Sequence, residues 1–171
     1  MLSLAKIAFC IVSLVFAFLV QVPLFAFDFR DAQFENFSYS PALLLVFILT
    51  CCYKNNYAFM SLIVILIAVL FGLPLFSFGG GWQYILQPSF GFILAMILMS
   101  VIVFYKYHHT ETREYFFRDA LLALLAANLF GVLFFMVFNQ FDFTPFKIFI
   151  YQALFDLVFA IIFLWLFKRE V

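Results

Sequence analysis

This chain has little charge. Its 171 residues carry nine basic and nine acidic side chains, 11% of the total, against 68% hydrophobic. Water-soluble domains run at about 25% charged residues, and no soluble domain of this size could hide so much apolar surface. The chain reads as an integral membrane protein with no room for a separate soluble domain, so the lipid bilayer is its first partner. A formal net charge of zero removes the electrostatic footprint expected of a nucleic-acid binder. Cysteine is scarce as well. Cys10 falls inside an apolar run, and Cys51 and Cys52 are neighbours at the end of another. Adjacent cysteines are poorly placed to bridge each other, and a buried free thiol behaves as a small apolar group. No glycine-rich loop ending in Lys-Ser or Lys-Thr is present, so the sequence holds no nucleotide-binding motif of that kind. His108 and His109 lie near Glu111 and Glu114 but lack a third histidine or a cysteine, which argues for a solvated loop over a metal site. Neither a metal nor a cofactor is expected. The thirty phenylalanines read as compositional bias and carry no functional weight alone.

Apolar sequence fills the chain. Six segments, about 4–27, 41–54, 57–76, 89–107, 119–139 and 146–167, compare with the roughly 20 residues a helix needs to cross a bilayer. The fold class expected is an all-α membrane bundle of six spans, forming one domain over residues 1–171. The first run, from Ile7 to Phe27, exceeds the roughly 7–15 residues of a secretory signal core and is taken as a retained span. Pro41 suits a helix's first turn, where its missing N–H costs nothing. Asp119 can start the fifth segment, and Thr144 with Pro145 can cap and open the sixth. With a cytoplasmic N-terminus, Lys6, Lys54, Lys106, Arg113, Arg118, Lys168 and Arg169 lie inside, and only Arg30 and Lys147 outside. That asymmetry follows the positive-inside rule and puts both termini in the cytoplasm.

Three outer connections then share one side: residues 28–40, the glycine-rich segment after the third span, and residues 139–144. The second of these, GLPLFSFGGGWQYILQPSFGF from Gly72 to Phe92, is the most irregular stretch in the chain. Irregular backbone survives beside membrane helices only where protein buries it or a watery cavity wets it. Glycine allows a positive φ and close approach of the backbone to a ligand. Trp82, Tyr84 and Phe90 offer flat faces, while Gln83, Gln87 and Ser89 offer neutral hydrogen bonds. A mostly apolar wall with a few placed polar groups is the usual make-up of a small-ligand pocket.

The spans add further polar candidates. Asp156 lies about ten residues into the last segment, and charge at that depth is costly enough to mark function or a packing hydrogen bond. Gln152 stands four residues earlier on the same helical face. Asn128 in the fifth segment can bridge helices or offer both a donor and an acceptor to a polar ligand. Lys147 is an outer-face cation beside Arg30.

The stretch from Gly72 to Phe92 resembles the signature of the BioY family, the biotin-binding membrane subunits (S components) of energy-coupling factor (ECF) transporters. Members typically show Gly-x-Pro-Val-Phe, a glycine pair or triplet, then Leu-x-x-Pro-Thr-x-Gly-Tyr. Here stand Gly72, Pro74 and Phe76, then Gly79, Gly80 and Gly81, then Leu86, Pro88, Ser89, Gly91 and Phe92. Pro23-Leu24 at the end of the first segment, and Asn128 with Gly131 in the fifth, add to the likeness. One motif departs. Members usually carry Pro-Gly-Asp-x-x-Lys at the start of the sixth helix, and those positions fall here near Phe149 and Gln152, with Lys147 and Asp156 out of register.

The resemblance implies a six-helix S component that binds a small vitamin, foremost biotin, from outside. A transmembrane coupling subunit and ATPase subunits would supply the drive. The ligand contacts expected for such a pocket, taken from the residues as well as the resemblance, are Gly79, Gly80, Gly81, Trp82, Gln83, Tyr84, Pro88, Ser89, Phe90, Gly91, Asn128, Lys147, Gln152 and Asp156. S components dock their coupling partner through small residues on the first helix, which implies Ala5, Ala8, Ser13 and Ala17. Ordinary packing within the bundle is the alternative role for those four. The rival readings are an S component for another vitamin-like ligand and a structural membrane protein without a ligand. A membrane enzyme ranks last, because the histidines lie in a loop and Asp156 has no second ionisable group at its depth.

Overall fold

The computed structural model describes residues 2–20, 22–28, 33–53, 56–73, 81–87, 90–109, 113–138 and 146–167. Helix α1 spans Leu2–Leu19, and strands β1 (Val22–Asp28) and β2 (Gln33–Tyr39) follow. Then come α2 (Ala42–Cys52), α3 (Tyr57–Leu70), a short 3-10 helix (Trp82–Leu86), α4 (Phe90–His109), α5 (Arg113–Phe138) and α6 (Phe146–Phe167).

The all-α expectation needs one correction. The first apolar segment does not continue as helix to residue 27. Helix α1 stops at Leu19, and the chain turns into an antiparallel hairpin with Val22 opposite Tyr39 and Asp28 opposite Gln33. Pro23 supplies the reason. It cannot donate the helical N–H, and it steers Val22 away from helical backbone. A two-stranded ribbon accepts the proline because both of its strands are edges. Between the fourth and fifth apolar segments the chain is helical for most of its length: α4 runs on to His109 and α5 begins at Arg113.

Helix α2 is the central pillar. Eight of its eleven residues are buried, and it touches α1, α3, α4 and α6. A helix that is apolar on all sides belongs in the interior, and α2 has that composition, with Thr50 its only polar side chain of the non-cysteine residues. Pro41 immediately precedes it and accepts the Leu45 N–H at 2.9 Å. The polar side chains in this core satisfy themselves locally. Thr50 donates to the Val46 carbonyl, Ser61 to Tyr57 and Ser100 to Ile97, the back-bonding that lets a hydroxyl sit inside a helix.

Outward faces are apolar. On α1 Leu4, Phe9, Val12 and Phe16 are exposed, and on α3 Met60, Val64 and Ile67. Among the described residues, Phe116–Phe138 alone is long and apolar enough to cross a membrane by itself. The other helices carry shorter apolar stretches of 10–17 residues. Lys106 at the end of α4 pairs with Asp119 near the start of α5 at 2.9 Å, and Arg118 of α5 reaches the same carboxylate at 3.1 Å. The Lys106 pair joins α4 to α5, but such solvent-facing pairs add little stability.

Helices α4 and α5 pack through two glycine seats. A Cβ added at Gly91 would run into the Phe134 side chain, and one added at Gly131 would meet the Phe92 ring. Each glycine thus receives a phenylalanine from the facing helix. Gly91→Ala should therefore destabilise the fold by about 1–3 kcal/mol through overpacking, measured by thermal unfolding in detergent. Phe134→Ala in the same chain should return part of the loss. An unchanged transition in Gly91→Ala would show that the seat is not tight.

Candidate functional site

Three polar side chains buried in the bundle, Tyr39, Asn128 and Asp156, meet at one point. Asp156, on α6, is fully buried. Tyr39, the last residue of β2, donates its hydroxyl to Asp156 Oδ1 at 2.6 Å. Asn128, on α5, donates Nδ2–H to Asp156 Oδ2 at 3.4 Å and to the Leu124 carbonyl at 3.3 Å. One carboxylate therefore ties the hairpin, α5 and α6 together. Both partners are donors, which matches an acceptor-only carboxylate, and each oxygen keeps a second lone pair. The neutral Tyr39 phenol is the donor in this pair and the Asp156 oxygen the acceptor. The Tyr39 ring packs on Tyr151 and lies 6.0 Å from Phe155. Gln152 stands one turn before Asp156 and is half-buried.

A second cluster is aromatic. Tyr84 of the 3-10 helix is buried and meets Phe90 edge-on at 6.1 Å. Phe90 in turn lies 6.5 Å from Phe134, which stacks on Phe138 at 4.6 Å. Phe134 is six residues beyond Asn128 on α5, about 9 Å along the helix axis. The α5 helix thus carries both the polar cluster and the aromatic one.

The glycine-rich segment has a defined closure. Gly72 and Gly81 both adopt positive φ, 95° and 101°. Their N–H groups donate to the same Val69 carbonyl, at 2.9 and 2.7 Å. The chain between them leaves and returns at one point on α3. Glycine is needed at both ends because side chains strain that backbone region.

The expected site residues divide accordingly. Asn128 and Asp156 come together, with Gln152 beside them, and Tyr84 and Phe90 come together. Trp82 and Gln83 face outward, Trp82 at 72% exposure. Gly91 seats Phe134, and Gly81 serves the turn. Gly79, Gly80, Pro88 and Ser89 lie outside the described residues, as does the side chain of Lys147 in the first turn of α6. Of the small residues on α1, Ala5 and Ala8 are exposed, Ser13 is half-buried and Ala17 lies in the core. Tyr39 was not among the expected residues. Its signal was present: a tyrosine closing the segment before α2, with an apolar body and a hydroxyl that seeks a buried partner.

This architecture is shared with a crystal structure described as the S-component for biotin from an ECF-type ABC transporter. The match has a TM-score of 0.70 at 18% identity and covers 98% of this chain and 89% of that one. The fold is that of an S component. The BioY family profile matches residues 3–170, and the chain belongs to the BioY family. It is a membrane protein of a transporter family and not an enzyme. A relative from Lysinibacillus sphaericus, named as a probable biotin transporter BioY, is 30% identical over 93 residues. That match covers 53% of this chain and 43% of the relative, so the chain spans less than half of that relative's length.

Tyr39→Phe removes one donor from a buried carboxylate and should cost about 1–3 kcal/mol. Asp156→Ala should cost as much or more, and the double variant should fall short of the sum by about 0.5–3 kcal/mol, as contacting residues do. Thermal unfolding in detergent checks this. Additive losses would mean that the two side chains do not interact.

Proposed function

We propose that this chain is the substrate-binding membrane subunit of a vitamin uptake transporter, with biotin as the ligand. The observation that carries this reading is the buried Tyr39–Asp156–Asn128 cluster in a chain of the BioY family. A ureido ring presents two N–H donors and one carbonyl. The spare lone pairs of the Asp156 carboxylate can accept those donors, and the Asn128 carboxamide oxygen can do the same. Asp156 is fully covered, so a ligand reaches it only when Tyr39 and the end of the hairpin shift aside. Tyr84, Phe90 and Gln152 extend the pocket, with Gly79, Gly80, Pro88 and Ser89 of the glycine-rich segment. Lys147, in the first turn of α6, takes the ligand's carboxylate.

The chain sits in the bacterial inner membrane with six spans and both termini cytoplasmic, following its basic residues. A transmembrane coupling subunit and ATPases supply the drive. The exposed Ala5 and Ala8 on α1 form the close-approach part of the docking face, with the half-buried Ser13 at its edge. The shifted Asp and Lys motif of α6 supports a second reading, a vitamin-like ligand other than biotin held by the same cluster.

Cells lacking their own biotin uptake, given this chain with a coupling subunit and ATPases, should accumulate labelled biotin. Lys147→Ala should weaken half-saturation about tenfold or more, the loss expected for a charge-assisted contact. Accumulation that is indifferent to ATPase inactivation would overturn the transporter reading, and uptake of another vitamin in place of biotin would favour the second.

A further inference from the structure

The short 3-10 helix presents two faces to different surroundings. Tyr84 is buried against Phe90, whereas Trp82 and Leu86 are each 72% exposed. Its position is fixed by the Gly81 N–H, which donates to the Val69 carbonyl at the end of α3. One residue beyond that helix, Phe71 is 85% exposed. Phe71 closes a stripe that runs along α3 through Val64 and Ile67, also exposed. The spacing of three and four residues keeps that stripe on one helical face. In water, contiguous apolar surface of this kind is a liability. In a membrane protein it is the surface that lipid covers, and it ends where the chain leaves α3 and the glycine turn begins.

We propose that Trp82 and Leu86 continue this lipid-facing surface and insert into the bilayer at headgroup level. The 3-10 helix is then an interfacial anchor that holds the outer glycine-rich segment at the membrane surface. Its partner is the phospholipid interface itself. Tryptophan suits that depth because its ring is apolar and its indole N–H can bond to headgroup or ester oxygens. No charged residue lies between Gly81 and Gln87 to oppose insertion. The face turned to the pocket is the Tyr84 side, and Trp82 is a lipid contact in place of the ligand wall that its sequence position suggests. This inference rests on exposure and membrane residence and does not depend on which ligand is bound.

The protein holds two tryptophans, Trp82 and Trp165. In the Trp165→Phe variant, reconstituted in phosphatidylcholine vesicles, Trp82 is the sole indole. Lipids brominated near the headgroup end of the acyl chain should quench most of its emission. Lipids brominated near the chain terminus should quench it much less, and aqueous iodide only weakly. Strong quenching by iodide with no response to either brominated lipid would overturn the proposal, because Trp82 would then face water. Protection from both quenchers would overturn it as well, because the indole would then be enclosed by protein.

Discussion

The structure turns on a carboxylate held inside a membrane bundle. Asp156 sits in the middle of α6 with no exposed surface, and each of its oxygens receives a donor from a different element. An ionisable group at such depth is tolerated only when it is partnered. The two partners are drawn from β2 and α5, so the cost of burying Asp156 becomes a geometric constraint. Satisfying it requires the hairpin to return to α6 and α5 to lie against α6. The same constraint keeps a polar patch in a chain otherwise given over to apolar packing.

Around this point the helices are arranged by size and shape. Helix α2 fills the centre because it has no polar face to turn outward. The α4–α5 contact is set by Gly91 and Gly131, which admit Phe134 and Phe92. Without a hydrophobic driving force between helices in lipid, close fit of this kind is what remains to hold them. The glycine seats also position the aromatic run Tyr84, Phe90 and Phe134. Packing and site construction are therefore linked through the same two helices.

Much of this was legible in the sequence, and the exceptions have physical causes. Hydropathy identified a helical membrane bundle, and the ordered glycines and prolines between Gly72 and Phe92 carried the family. Asn128 and Asp156 stood out because polar groups are rare in apolar spans. The hairpin was not legible, because Leu24 to Phe27 is as apolar as the helix before it and only Pro23 marks the change. Tyr39 lay in a segment read as loop, and nothing local shows that it bonds to a residue 117 positions away. Trp82 and Tyr84 looked alike as aromatic neighbours of a glycine triplet. Their opposite exposures follow from the turn of the 3-10 helix, which composition does not reveal. Gly81 and Gly91 were read as ligand-approach glycines, and the structural duties they also carry, a positive-φ turn and a seat for Phe134, do not show in the composition.

The central claim is that the buried Asp156 cluster belongs to a biotin pocket. Equilibrium binding of radiolabelled biotin to the purified protein in detergent tests it most directly, with Asp156→Asn alongside. The account predicts saturable binding by the folded wild type. It also predicts a marked loss in Asp156→Asn, which changes an acceptor-only group into one that also donates. Saturable binding that Asp156→Asn leaves intact would remove the cluster from the pocket. No binding by a well-folded wild type would contradict biotin as the ligand.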